Sequence, residues 1–312
     1  MSTPRDPSVP PAGYRTGPLV PGDAAAVTAV IAAQERHDTG EVMIEESDIV
    51  GDWQRPSFDL AASTVGVRDD DGTLVAYAEV HGDRAEVAVH PDHRRRGIGT
   101  FLAGWCTDLA RSRGERVVGS PALEGSPADA LLSSLGWRVR WQSWVLALPE
   151  GAEVPERGLP AGLEVRAARP EEHEACWVLN EDAFLEWSQR ERDGFEDWAA
   201  RTVRRPGFEP WQLRVVVGDG EVLALALLQL VTTPTEDGER TEAYVARLAT
   251  RADQRGRGLA QALLVDAFAQ GRAHGASVCT LSTDSRTGAL GLYEKVGMRV
   301  TSNWVNRAAD LT

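Results

Sequence analysis

The sequence lacks the features of several protein classes. No apolar run reaches about 18 residues, and residues 1–14 have neither the basic start nor the apolar middle of a secretory signal. The three cysteines, Cys106, Cys176 and Cys279, are odd in number and far apart, which gives neither a disulfide framework nor a paired zinc site. We therefore expect a cytoplasmic protein with reduced thiols, no membrane partner and no metal.

Positive charge is also scarce. Lys295 is the one lysine among 33 basic residues, against 47 acidic residues, and the formal net charge is −14. Nucleic acids favour basic surfaces, so we expect no nucleic-acid partner, whereas a cationic or amine substrate would be attracted. The sequence also has no G-x-S-x-G elbow of a serine hydrolase and no H-E-x-x-H zinc motif.

What the sequence does contain is an internal repeat. The stretches "VAVHPDHRRRGIGTFL" and "LATRADQRGRGLAQALL" align without gaps, so that Gly97 matches Gly258 at an offset of 161 (258 − 97). The strands before this motif align at the smaller offset of 148, with Asp71 matching Asp219 (219 − 71). The second copy therefore carries about thirteen more residues (161 − 148), which we place in "LVTTPTEDGERTEA", between two strands.

The repeat and the length of 312 residues predict two domains. We place an N-terminal domain at residues 14–150 and a C-terminal domain at residues 162–312. The proline, glycine and charged residues of 151–161 are typical of a linker. Residues 1–13 are predicted to be a disordered tail.

Each copy has a glycine-containing loop before a helix, and several interpretations compete. A dinucleotide fingerprint requires a full G-x-G-x-x-G directly after a strand, and "GRGLAQ" lacks the third glycine. A Walker loop requires Gly-Lys-Ser/Thr, which is absent. A third pattern, Arg-x-x-Gly-x-Gly/Ala, begins at Arg94 and at Arg255. Small residues there let backbone N–H groups at a helix N-terminus bind a pyrophosphate. A simple tight turn would explain one copy, and its recurrence in both copies favours phosphate binding.

With these motifs and "DSRTGALGLYEKVGMRV", both halves resemble the GNAT superfamily of acyl-CoA N-acyltransferases from about Tyr14 to about Arg307. The tandem arrangement is similar to that of mycothiol synthase and related bacterial acetyltransferases. The resemblance implies an α/β (α+β) fold with two tandem GNAT domains, each a mixed, mostly antiparallel sheet flanked by helices. It also implies two splayed strands in each domain, at 84–90 and 117–120 and at 243–250 and 277–283.

The resemblance further implies acetyl-CoA, or another acyl-CoA, as the cofactor. Its binding residues would lie on the first splayed strand and on the loop of each copy. In the first copy these are Val87, Ala88, Val89, Arg94, Arg95, Arg96, Gly97, Ile98, Gly99 and Thr100. In the second copy they are Leu248, Ala249, Thr250, Arg255, Gly256, Arg257, Gly258, Leu259, Ala260 and Ser285.

Acyl transfer to an amine requires a proton acceptor for the ammonium and benefits from a proton donor for the departing thiolate. In the family a tyrosine on the helix after the second splayed strand supplies that proton. Tyr293 occupies this place, whereas the first copy has Leu132 there. The family's base is often an acid on the first splayed strand, where we choose Glu242. We therefore predict that the C-terminal domain is catalytic and the N-terminal domain is not.

The sequence thus predicts an acetyl-CoA-dependent N-acetyltransferase that acts on the amine of a small molecule by direct attack. We expect a monomer or a homodimer. The acceptor pocket would be lined by residues 180–208. The alternative is a catalytically decayed acyl-CoA sensor, which Leu132, Arg247 and Ser285 favour. Leu132 stands where the second copy has the proton donor Tyr293, and Arg247 stands where the first copy has Glu86, a possible base.

Overall fold

A computed structural model describes residues 9–188, 190–235 and 238–311 of the chain. It divides into two compact units, one formed by residues 1–142 and 303–312 and the other by residues 143–302. Within the described ranges, no helix combines the length and apolar character that crossing a bilayer requires. Residues 1–8 of the predicted tail lie outside the described residues.

The first unit is a mixed, mostly antiparallel sheet with helices. Its strands follow the order β1-β2-β3-β4-β5-β12, in which β4 and β5 run parallel and the other neighbours antiparallel. The strands are β1 (Arg15–Gly17), β2 (Thr64–Arg68), β3 (Leu74–His81), β4 (Arg84–Val89), β5 (Val117–Leu123) and β12 (Arg299–Asp310). The helices are α1 (Ala24–Asp38), α2 (Glu46–Trp53), α3 (Leu60–Ser63), α4 (Ile98–Ser112) and α5 (Pro127–Ser134).

The second unit repeats this plan. Its strands follow the order β6-β11-β10-β9-β8-β7, with β10 and β11 parallel. The strands are β6 (Arg138–Ala147), of which residues 143–147 belong to this unit, β7 (Glu164–Ala167), β8 (Leu213–Gly218), β9 (Glu221–Thr235), β10 (Gly238–Thr250) and β11 (Val278–Asp284). The helices are α6 (His173–Leu185), α7 (Phe195–Arg201), α8 (Leu259–Ala273) and α9 (Leu290–Lys295). The predicted fold class is confirmed in both units.

Local sequence explains how these elements begin and end. Pro21 and Pro170 each open a short 3-10 turn that leads into α1 and α6, because proline has the φ angle of a first helical turn and needs no N–H there. Asp219 and Gly220 have φ angles of 51° and 80° and join β8 to β9 in a two-residue hairpin. Two consecutive residues with positive φ match the right-handed twist of a hairpin.

The extra residues of the second copy lengthen a hairpin. Strands β9 and β10 have 15 and 13 residues, whereas their counterparts β3 and β4 have 8 and 6. Register pairs continue from Thr250↔Ala224 to Gly238↔Thr235. The added residues therefore lengthen the two paired strands themselves, whereas the prediction placed them between strands.

Most of the last strand of the chain, from residue 303 onwards, is part of the first unit. Residues 304–310 pair with β5, from Trp304↔Leu123 to Asp310↔Val117, and Val305 and Leu311 are buried in the core of this unit. The predicted C-terminal domain, 162–312, differs from the second unit at this strand, because sheet pairing is a tertiary contact that the repeat alignment does not report.

A buried ion pair attaches this last strand to α5. The Arg307 guanidinium donates to Asp129, and to the carbonyl of Trp137 at 3.0 Å. Burial opposes ionisation of Asp129, but the bonds from Arg307 and from the Gly125 N–H outweigh it and hold the pKa of Asp129 below its usual value. The side chains of the pair are only 16% and 12% exposed, so the charge of Asp129 depends on Arg307.

Arg307→Ala is expected to lower the free energy of unfolding by about 2–4 kcal/mol at neutral pH, because it leaves a buried carboxylate without its partner. A carboxylate whose pKa is lower in the native state stabilises the fold above its unfolded pKa, and this stabilisation is lost as the pH falls through the native pKa. The deficit should therefore shrink in acid. Denaturant titration measures it, and Arg138→Ala, which removes the exposed pair with Asp310, is the control with an expected loss below about 1 kcal/mol. Equal losses in the two variants would contradict this account.

Candidate functional site

Two parallel strands part in the second unit. Strands β10 and β11 stay in register from Glu242↔Val278 to Val245↔Leu281, and the pairing recorded for the described residues ends there. At the same place β10 has a bulge, since Val245 pairs with Leu228 and Arg247 with the next residue, Leu227. A bulge bends its strand and increases the local twist. The gap expected for splayed strands at 243–250 and 277–283 therefore opens at Ala246.

The end of β10 has a backbone N–H on the side of this gap and, on the same residue, a hydroxyl without a partner in the described residues. The Arg251 N–H donates to the Leu223 carbonyl of β9 at 3.0 Å, so strand alternation turns the N–H of Thr250 to the opposite side. The Thr250 hydroxyl oxygen is buried and has no hydrogen-bond partner in the described part of the chain. A buried hydroxyl without a partner is costly, and an amide of a bound molecule would satisfy it. Leu248 and Ala249 lie on the same segment.

The glycine loops have the same backbone in both units. Gly97 and Gly258 precede α4 and α8 with φ angles of 93° and 83°, in the left-handed region. Two residues earlier, Arg95 and Gly256 also have positive φ, 62° and 76°. The first helical hydrogen bonds run from Phe101 to Gly97 and from Ala262 to Gly258. The N–H groups of the three residues in between therefore point out of each helix end, as an anion site requires. These residues are Ile98, Gly99 and Thr100 in the first unit and Leu259, Ala260 and Gln261 in the second.

The first arginine of each loop forms an ion pair within its own unit. Arg94 binds both oxygens of Asp38 at 2.7 and 2.8 Å, and Arg255 binds both oxygens of Glu186 at 2.7 and 2.6 Å. Both carboxylates lie at the C-terminal end of the first helix of their unit, and they are 148 residues apart (186 − 38). The bonds from Arg255 lower the pKa of Glu186. These arginines therefore fix the loop in place, and their charges are already matched by carboxylates.

Two further loop arginines, Arg96 and Arg257, donate hydrogen bonds to neutral groups. Arg96 donates to the Tyr14 hydroxyl at 3.2 Å and to the Asp92 carbonyl at 3.1 Å, and Arg257 donates to the Gln254 side chain. Their positive charge stays near the helix ends. The positions of Arg96 and Arg257 are thus compatible with the predicted binding of phosphate groups.

Tyr293 lies on α9 inside the core of the second unit. It is 8% exposed and belongs to the same packed cluster as Val245 and Leu281, where the strands part, and as Leu259 and Leu263 of α8. Burial raises the pKa of Tyr293 to about 12. The phenol therefore keeps its proton at neutral pH, as a proton donor must.

Glu242 lies in the part of the strand pair that is still closed, four residues before Ala246. It is 5% exposed, accepts a hydrogen bond from the Thr280 hydroxyl and lies 3.7 Å from the Arg240 guanidinium. The next residue on its face, Tyr244, shares a 2.7 Å hydrogen bond with Ser282. The structure therefore places the candidate base in a polar row of Glu242, Thr280, Tyr244 and Ser282.

This polar row was not predicted, although the sequence carried a signal for it. In "CTLS" (residues 279–282) apolar and polar residues alternate, and Cys279 and Leu281 enter the apolar core while Thr280 and Ser282 occupy the opposite face. Ser285, predicted to contact the cofactor, lies exposed in the turn between β11 and α9.

The corresponding gap of the first unit is already occupied. Strands β4 and β5 share the single register pair Arg84↔Gly119, and β4 pairs with β3 without a bulge. The Gln34 side chain accepts a hydrogen bond from the N–H of Val89, the counterpart of Thr250, at 3.0 Å. A cavity of about 80 Å³ remains, lined by Val87, Ser120, Leu132, Trp137 and other residues.

Two acids of residues 180–208, the range predicted to line the acceptor pocket, are paired with arginines. Glu181 is 1% exposed and binds Arg190 at 2.7 and 3.0 Å, and Asp182 binds Arg192. Trp198 is buried at 3% exposure. These residues hold the α6–α7 region together, and the polar row on β10 and β11 offers the better surface for an amine.

Comparison with known proteins agrees with this geometry. The sequence pattern of the acetyltransferase (GNAT) family matches residues 30–137 and 172–298. A mycothiol acetyltransferase from Salinispora tropica is 30% identical, over 94% of this chain and 95% of that protein. A GCN5-related N-acetyltransferase from Sphaerobacter thermophilus is 27% identical with a TM-score of 0.68, and each chain is covered to 96%. A tandem GNAT protein from the clavulanic acid pathway has a TM-score of 0.69 at 18% identity, covering 96% of this chain and 99% of that one.

Proposed function

Because this chain belongs to the acetyltransferase (GNAT) family of acyl-CoA-dependent N-acetyltransferases, we propose that its second unit moves an acetyl group from acetyl-CoA to the amine of a small molecule. The observation that carries this proposal is the gap at Ala246. There a bulged strand, the unpartnered Thr250 hydroxyl and the outward N–H groups of α8 lie in one unit with Tyr293.

The residues of the second unit fit an acyl-CoA. The N–H groups of Leu259 and Ala260 at the N-terminus of α8 would bind the pyrophosphate. The gap-facing N–H and hydroxyl of Thr250 would bind amide groups of the pantetheine arm. Leu248 and Ala249 would line that arm, so the predicted contact residues of this strand keep their role.

Two side chains would handle the protons. Glu242 would take a proton from the ammonium, directly or through water, which lets the amine nitrogen attack the thioester carbon. When the carbon–sulfur bond breaks, the leaving thiolate would receive the proton of Tyr293. The predicted catalytic pair thus has one carboxyl group that lies 3.7 Å from the Arg240 guanidinium and one phenol that burial holds neutral.

The acceptor would be a polar small molecule that carries an amine. The net charge of −14 favours a cationic substrate, and the polar row of Glu242, Thr280, Tyr244 and Ser282 would hold its hydrogen-bonding groups. The name of the curated relatives makes mycothiol precursors the first acceptors to assay. We propose that the protein acts in the cytoplasm as a monomer or homodimer, and that no nucleic acid takes part.

Tyr293→Phe is expected to lower kcat by about 10²- to 10⁴-fold, with little change in the affinity for acetyl-CoA, because it removes the proton donor and keeps the ring. Release of free CoA thiol measures the rate. Since the pKa of Tyr293 is about 12, the wild type should lose no activity to tyrosine ionisation near pH 10. An unchanged kcat would remove Tyr293 from the mechanism.

Glu242→Gln is expected to lower kcat/KM at neutral pH by about 10²-fold. The loss should decrease at high pH, where the free amine forms in solution without a base. Initial rates between pH 6 and 10 give the profile, and Glu239→Gln, an exposed carboxylate on the same strand, is the matched control. A parallel profile, lowered equally at every pH, would show that Glu242 has no role as a base.

We propose that both loops bind acyl-CoA. The first should bind it more weakly, because the Gln34 side chain already bonds the N–H at its gap and the cavity there measures only about 80 Å³. Calorimetry with CoA should show two events. Gly258→Glu should remove the tighter one and Gly97→Glu the weaker one, through bulk and like charge. A single event, lost only with Gly258→Glu, would overturn binding by the first unit. Binding without thiol release across a broad amine panel would instead favour the sensor alternative.

A further inference from the structure

The segment predicted as a linker is bound along α8. Residues 149–162 contain no helix or strand in the described chain, yet Val154 is 5% exposed in the core of the second unit. The Gln261 side chain donates to the Pro155 carbonyl at 2.7 Å, and Arg272 donates to the Ala152 carbonyl at 2.8 Å. These contacts fix the segment at three points along one helix, so its residues have defined places.

Arg157, two residues after Pro155, lies on the glycine that opens α8. A Cβ atom placed on Gly258 would lie 2.3 Å from the Nε atom of Arg157 and 2.6 Å from its Cδ atom. Two features therefore disfavour any larger residue at position 258: the φ angle of 83° and the arginine that fills the space of a Cβ atom. The guanidinium is thereby held at the N-terminus of α8.

The charge of Arg157 is not matched by an acid. Arg255 is bound to Glu186, and Arg251 is bound to both Asp253 and Glu221. Within residues 9–188, 190–235 and 238–311, Arg157 has no carboxylate partner, and its side chain is exposed. A cation without a counter-ion, beside the outward N–H groups of a helix end, adds to an anion site.

We propose that Arg157 is a phosphate-binding residue of the second unit and donates to the pyrophosphate of the bound acyl-CoA. This inference rests on the proposed function of the second unit. It assigns to the segment between the repeats a part in the site that lies 101 residues further along the chain (258 − 157). The loop and the arginine thus form one site, in which Gly258 leaves space for Arg157 and the residues that follow it provide the helix N–H groups.

The test uses the full chain and three ligands that differ in their phosphates. Arg157→Ala should weaken CoA and dephospho-CoA alike by about tenfold in calorimetry, since both have the pyrophosphate. With acetylpantetheine as acyl donor, which has no phosphate, kcat/KM should equal that of the wild type. Arg157→Lys should recover part of the affinity. Arg272→Ala, which removes the contact of the segment with the C-terminal end of α8 and keeps Arg157, should bind CoA within about twofold of the wild type.

The outcomes separate this inference from the proposed function. If the wild type binds CoA and Arg157→Ala binds it equally well, the role of Arg157 is overturned and the proposed function stands. A loss for CoA alone would place the contact at the 3′-phosphate and overturn the pyrophosphate assignment. An equal loss in Arg272→Ala, or with acetylpantetheine, would show a purely structural role. If the wild type binds no CoA, the proposed function itself fails.

Discussion

The structure depends on one constraint, which is that two parallel strands must part without leaving their backbone groups unsatisfied. A strand edge presents rows of N–H and C=O groups, and a buried group without a partner is costly. In the second unit the bulge at Ala246 turns β10 away from β11, and the Thr250 hydroxyl remains without a partner in the described chain. In the first unit the Gln34 side chain bonds the N–H at the same position. The first edge is satisfied by the protein itself, and the second is suited to a ligand.

The two units therefore share a binding loop and differ in their capacity for chemistry. Both keep the left-handed glycine and the pair between the first loop arginine and the end of the first helix, Arg94 with Asp38 and Arg255 with Glu186. These features depend on the backbone and on opposite charges, so they persist when the reacting groups change. Only the second unit combines the bulge with Tyr293, which makes the catalytic assignment an argument about strand geometry as well as about one side chain.

Local patterns predicted much of this. The glycine loops and the position of Tyr293 follow from residues close together in the sequence, and the fold class followed from the resemblance that they carry. The pairs Arg94–Asp38 and Arg255–Glu186 could not be predicted, since their members are 56 and 69 residues apart. For the same reason proline and glycine in 151–161 indicated a linker, while the contacts of Val154 with the core depend on the folded second unit.

The position of the last strand has a consequence for biosynthesis. Since residues 303–312 belong to the first unit, that unit is not encoded by one continuous stretch of the gene. After residue 142 has been made, another 160 residues (302 − 142) must be translated before this edge of its sheet can be covered. At an elongation rate of about 5–20 residues per second, that delay is on the order of 10 s. The nascent first half would expose β5 for that time, a period in which chaperones could bind it and in which unpaired edges favour aggregation.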